Sequence, residues 1–364
     1  MPSETVRCAI VGSGLAALAT YATLRRGGVR PEEIAVYGTH EDPTEVWRTR
    51  AAAIRQQRMR SESDGHVAAA AFPGLAVREA ARALTLAPLV ASVANRYHPR
   101  VEDFLQHAES VRAESGWEQS FRRERIERIT PVDDGFAVDG ATFRHVLVAT
   151  GHPGLAQPPE YNGAVHAYEP HDYASKVAVV GAGMAAATEW LNALAAGSEV
   201  VSIRRREPLR RALNVPREFF SKRGLATFHA TSDERRAATL RELSTPSYPP
   251  GAAWDEPIAA AVADGRFSVA ERASADAQVI CATGFRKGWR EDPLLRDLVE
   301  TNDLATHGRW IELAPDSTVP ALTDTMRTLS LAGVAAQWSF PAADTIAGAK
   351  YAAHGFLRRV CPTR

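Results

Sequence analysis

Two short stretches carry residue types that hold a pyrophosphate: Gly12-Ser13-Gly14-Leu15-Ala16-Ala17 and Gly181-Ala182-Gly183-Met184-Ala185-Ala186. In each, the first glycine permits a tight turn and the second lets an anion approach the backbone. The alanine at the sixth position, Ala17 or Ala186, lets the following helix pack closely on the preceding strand. Free N–H groups at the helix start then face the anion. One such turn alone says little. Two in one chain imply two bound dinucleotides.

Ribose recognition is the next chemistry to look for, at the end of the strand that follows each turn. After the first turn the expected acidic residue is Gly38. His40 or Glu41 could replace it from the next loop, or backbone alone could hold the ribose. After the second turn stand Arg204, Arg205 and Arg206. An arginine there fits a 2′-phosphate, which points to NADPH; a solvated basic turn is the competing reading. No paired-carboxylate or Ser/His/Asp arrangement stands out as catalytic. The 11 histidines lack a metal-ligand spacing, so no metal is expected.

These groups need strands and helices to position them. Cys8-Ala9-Ile10-Val11 and Lys176-Val177-Ala178-Val179-Val180 read as buried parallel strands, each broken by its glycines into a helix. The first helix runs to about Arg26 and Ile34 to Tyr37 follows as a strand; Glu199 to Ile203 is its counterpart in the second unit. His145 to Gly151 and Asp276 to Phe285 are apolar strands that both end in Ala-Thr-Gly. Val101 to Val111 has helical spacing, and Phe121 to Arg128 is a charge run that suits a solvated face or an edge strand. Leu84 to Ala94 lies in an Ala-rich helical region. Leu329 to Gly333 is a short strand, followed by a helix from about Ala342 to Val360.

Bulk properties bound the rest. At 364 residues and 45% hydrophobic, the chain suits about two domains. Basic and acidic residues balance at 43 each, so no global field favours nucleic acid or an acidic membrane. Three cysteines without a C-x-x-C pair argue against a redox dithiol or a cysteine-zinc site. Apolar runs fall short of the roughly 20 residues that span a bilayer, and a cytoplasmic protein is expected.

Two glycine turns, each followed later by an Ala-Thr-Gly strand, resemble the two-dinucleotide-binding flavoproteins. Four segments are similar to the class B flavin monooxygenases: the flavin-containing monooxygenases, the Baeyer-Villiger enzymes and the ornithine or lysine N-hydroxylases. Val36 to Arg48 resembles the segment ending in Gly-Gly-x-Trp, with Trp47 and Arg48 matching and Gly38, Thr44 and Glu45 departing. Tyr161 to Tyr168 resembles F-x-G-x-x-x-H, one residue shorter, with His166 at the hinge position. Asn214 to Phe220 looks like an N-hydroxylase segment, and Gly333 to Gln337 like the closing segment at the flavin ribityl chain.

The resemblance implies an α/β fold of two Rossmann-like domains, an NADPH domain (171–275) inserted in a discontinuous FAD domain (1–170 and 276–364). It adds Trp47, Arg48, Thr150, Gly151, Thr283, Gly284, Gly333 and Gln337 to the cofactor-binding set of Gly12, Gly14, Ala17, Gly181, Gly183, Ala186, Arg204 and Arg205. It places Arg60 near the isoalloxazine, where an arginine would stabilise a peroxyflavin anion; a surface arginine is the bland reading. The implied activity is NADPH- and FAD-dependent monooxygenation of a small molecule through a C4a-(hydro)peroxyflavin, by amine N-hydroxylation or sulfide or ketone oxygenation. Molecular oxygen is then a co-substrate, and a homo-oligomer stays open. A flavin reductase without oxygen transfer and a degenerate nucleotide binder are the alternatives.

Overall fold

The computed structural model describes residues 7–59, 74–93, 97–211 and 215–362; Arg60 and Asn214 lie outside the described residues. In chain order the elements that matter are β1 (Cys8–Val11), α1 (Leu15–Arg26), β2 (Ile34–Gly38), α2 (Glu45–Ala53), β3 (Phe121–Arg123), β4 (His145–Val148) and β5 (Val165–His166). After these come β6 (Lys176–Val180), α3 (Met184–Ala195), β7 (Glu199–Ile203), β8 (Phe267–Ala270), β9 (Gln278–Cys281), α4 (Pro293–Thr301), β10 (Thr328–Leu331) and α5 (Ile346–Val360).

Two parallel sheets result. The first has the order β10-β4-β1-β2-β3 and the second β8-β7-β6-β9-β5. Every neighbouring pair in both is parallel. Strands β1, β4 and β10 are buried at all four positions, as the inner strands of a covered parallel sheet are, although His145, Thr328 and Ser330 interrupt the apolar runs of β4 and β10. Helices α1 and α5 pack together on the first sheet.

The second sheet takes strands from both sides of 171–275: β5 and β9 each hydrogen-bond within it. The expected break points of 170 and 275 therefore cut through one sheet. The reason is local: the second Ala-Thr-Gly strand, β9, pairs with β6 on one side and with the short edge strand β5 on the other.

The segments that leave the two Ala-Thr-Gly strands pair with each other. Leu155 bridges Phe285 antiparallel, Ala156 donates its N–H to Gly284 O at 2.9 Å, and Arg286 donates to Gly154 O at 2.9 Å. The sheets are thus joined by a short ladder between two segments of the chain.

Other differences from the sequence reading are small. The charge run is an edge strand only over Phe121–Arg123. The last helix starts at Ile346, because the Thr345 hydroxyl accepts Gly348 N–H at 3.2 Å and caps it there. The Ala-rich region breaks at Leu84, which sits at φ 49°.

Candidate functional site

At the first turn Gly12 has φ 118°, and a Cβ there would lie 2.2 Å from Ala149 O. Only glycine lets β1 pass so close to the strand beside it. Gly14 differs: nothing lies within 4 Å of a Cβ placed on it, so the space before the α1 N-terminus is open. Ala17 is fully buried in the core beneath the turn. The turn opens into a cavity of about 1350 Å³, beyond the range of about 300–1,000 Å³ usual for small ligands and large enough for a dinucleotide.

That cavity also gathers Trp47, Thr150, Gly151 and Gly333. Trp47 is braced edge-on by Phe104 at 5.2 Å. Arg48 is placed otherwise: it is exposed and pairs with Asp42. Gln337 lines a smaller neighbouring cavity and accepts Trp310 Nε1–H at 3.4 Å. Asp344 is exposed to the large cavity, and desolvation by the protein around it raises its carboxyl above the ordinary range. Desolvation and the nearby Arg309 charge lower Lys287, and its ammonium partly offsets the rise at Asp344.

At the second turn Gly181 has φ 137°, and a Cβ there would lie 2.5 Å from Ala282 O. Gly183 caps α3, with Pro246 Cβ the nearest neighbour of an added Cβ at 3.8 Å, and Ala186 is fully buried. Arg204 follows β7 with its guanidinium 5.6 Å from the Trp190 ring and 2.8 Å from Glu207, while Arg205 is 90% exposed. The two arginines are therefore unequal: Arg204 is half-enclosed against Trp190 and Glu207, while Arg205 makes only an exposed ion pair with Glu160 at 3.5 Å.

Where the sheets meet, an aromatic stack lines the large cavity. Phe285 stacks on His152 at 4.1 Å and on Tyr168 at 4.9 Å, and Arg50 lies over the same ring at 4.8 Å. Burial, with the Arg50 and Lys287 charges, pulls His152 down to about 4, so its ring is neutral. His166 is wholly buried and its Nδ1 accepts Tyr168 N–H at 3.2 Å, a structural role behind the stack. Thr283 donates to Ala156 O and Gly284 accepts from Ala156, so both serve the ladder.

The fold can now be set beside known ones. No family model matches the sequence, and no curated protein matches it. Among solved structures, ornithine hydroxylase (PvdA) from Pseudomonas aeruginosa is 18% identical with a TM-score of 0.70, over 97% of this chain and 99% of that one. This chain has the ornithine hydroxylase fold. The ornithine N-hydroxylase KtzI of Kutzneria sp. 744, described with reduced FAD, NADP+ and L-ornithine, matches at 15% identity and TM-score 0.71, over 98% and 99%. A bacillithiol disulfide reductase from Bacillus cereus matches at 14% identity and TM-score 0.59, again over 98% and 99%.

Sequence reasoning missed Arg50, His152, Phe285 and Asp344, and also Asp292, which lines the large cavity. Phe285 had the clearest signal, directly after the second Ala-Thr-Gly. Among the described residues Asp233, His307 and Glu312 bring one possible metal-ligand atom each within 4.8 Å of one another. The His307 Nε2 lies 3.2 Å from Glu312, within hydrogen-bond distance, and its ring stacks on Trp338 at 4.2 Å. No helix among the described residues is long and apolar enough to cross a membrane.

Proposed function

We propose that the chain is an FAD- and NADPH-dependent monooxygenase acting on a small molecule, by N-hydroxylation of an amine or oxygenation of a sulfide or ketone. The observation that carries this reading is the large cavity. It runs from the open cradle at Gly14 to the junction of the sheets, where the second dinucleotide unit meets the first. The balance is NADPH, a proton, O2 and substrate giving NADP+, water and the oxygenated product. Supporting it are the fold shared with two ornithine hydroxylases and the arginine held beside the second turn. In this reading the second unit runs from β5 through β9.

The flavin, when bound, supplies hydride acceptance and oxygen activation. The chain's own residues do the rest. Gly14 and the α1 N–H groups take the pyrophosphate, and Thr150, Gly151 and Gly333 border the remainder of the molecule. Arg204 takes the 2′-phosphate. Neutral His152 offers a hydrogen bond without a charge, and Arg50 brings the positive charge to the junction. Asp344 holds a proton on its carboxyl to higher pH than an ordinary aspartate. Trp47 and Phe285 exclude water. Molecular oxygen is the co-substrate, and the cytoplasm is the compartment this reading assigns.

Ornithine is the substrate named for both hydroxylases, which makes an amine-bearing amino acid the first compound to try. A visible absorbance titration with FAD, followed by anaerobic NADPH, tests the cofactor half. Flavin bands that bleach with NADPH are expected, and a chain that takes up no flavin contradicts it. Flavin that bleaches and passes electrons only to an added acceptor would instead make this a reductase.

A further inference from the structure

Gly38 ends β2, where a dinucleotide turn ordinarily presents a carboxylate to the ribose 2′-hydroxyl. A Cβ on Gly38 would lie 2.2 Å from Ser13 Oγ and 2.3 Å from Ser13 Cβ. Ser13, the middle residue of the first glycine turn, is 8% exposed, and its hydroxyl accepts His40 N–H at 3.4 Å. The place of the carboxylate side chain is taken by the serine, and the loop beyond β2 is tied to it.

The acids of that loop are committed elsewhere. Glu41 pairs with Arg112 at 3.6 Å and Arg123 at 3.4 Å, Asp42 accepts Thr44 N–H at 2.8 Å and pairs with Arg48, and Glu45 meets His40 Nδ1 at 2.9 Å. Neither His40 nor Glu41 is left to replace the missing group. We propose that Ser13 plugs the ribose-carboxylate position, so that the first site holds its adenine nucleotide without reading the 2′-hydroxyl. The proposal rests on the first site being an adenine-dinucleotide site.

The consequence is a trade between two positions. Gly38→Glu alone has no room. Ser13→Gly removes the Oγ and Cβ contacts and leaves the residue 13 nitrogen 3.0 Å from the new Cβ, a close but tolerable approach. The pair Ser13→Gly/Gly38→Glu rebuilds the ordinary arrangement.

The test is calorimetric titration of the full chain, free of flavin, with ADP and with 2′-deoxy-ADP. The wild type is expected to bind the two within about twofold, since a missing partner costs nothing to lose. Gly38→Glu weakens ADP, and the double variant recovers it and prefers ADP over 2′-deoxy-ADP by about tenfold, the worth of a hydrogen bond to a charged group. A wild type that already prefers ADP by that factor overturns the proposal while leaving the site intact. So does a Gly38→Glu chain that binds ADP as the wild type does. Glu127 also lines the cavity, and a preference abolished by Glu127→Gln would place the ribose contact there instead. ADP binding by none of the chains fails the underlying reading of the site.

Discussion

The Thr150 hydroxyl donates to Asp292 Oδ2 at 2.7 Å. The other Asp292 oxygen accepts the N–H groups of Leu294 at 3.0 Å and Leu295 at 3.2 Å. One carboxylate thus caps α4 and ties it to the end of the first Ala-Thr-Gly strand, on the wall of the cavity. Asp292→Ala is expected to destabilise the fold by roughly 2 kcal/mol, a cap of about 1 kcal/mol plus a charged hydrogen bond. Asp292→Asn, which can still cap, should lose about half of that. Denaturant midpoints measure both, and equal loss from the two variants would contradict the capping role.

The two glycines of the first turn should separate by effect. Gly12→Ala meets Ala149 O at 2.2 Å with φ 118°, and a loss of at least about 3 kcal/mol is expected. Gly14→Ala meets nothing within 4 Å. Its melting temperature should match the wild type while FAD affinity falls, because the methyl stands where the pyrophosphate approaches. Thermal melts with a flavin titration decide it.

Arg204 and Arg205 should also differ. Arg204→Ala is expected to weaken NADPH by about tenfold or more and leave NADH unchanged, while Arg205→Ala changes little. Together they should behave as Arg204→Ala alone. Equal losses for NADPH and NADH would sink the assignment.

Stability should depend on pH through His171. Its Nε2 lies 3.0 Å from Glu189, which is wholly buried and also accepts the Tyr173 hydroxyl at 2.8 Å. The hydrogen bond to Glu189 raises the His171 pKa above its ordinary value. A raised value means that the contribution is complete below about pH 6.5, the unfolded value, and fades as pH climbs through the folded one. The stability difference between wild type and His171→Gln should therefore shrink above neutrality. A difference that grows with pH would contradict the assignment.

Much of this was legible from local pattern. Glycine turns after apolar runs announce themselves because turn, strand and helix are contiguous, and both parallel sheets followed from them. What escaped depends on contacts between distant segments. Nothing near Asp292 in the sequence points to Thr150, and Phe285 meets His152, Tyr168 and Arg50 only because the two crossovers pair. Arg48 matched a motif, yet Asp42 claims it. Gly38 looked like a missing group until Ser13 was seen to fill the space. The pairings of β5 and β9 carry the second sheet beyond 171–275, and an edge strand as short as Val165–His166 leaves almost no periodicity to read.

The most direct measurement is the fate of isotopically labelled O2 in a reaction of the FAD-loaded chain with NADPH and L-ornithine, L-lysine, an alkyl sulfide or a cyclic ketone. Product carrying one labelled oxygen atom, formed in step with NADPH consumption, is the predicted result. NADPH consumed with labelled hydrogen peroxide as the sole oxygen product with all four compounds would contradict oxygen transfer.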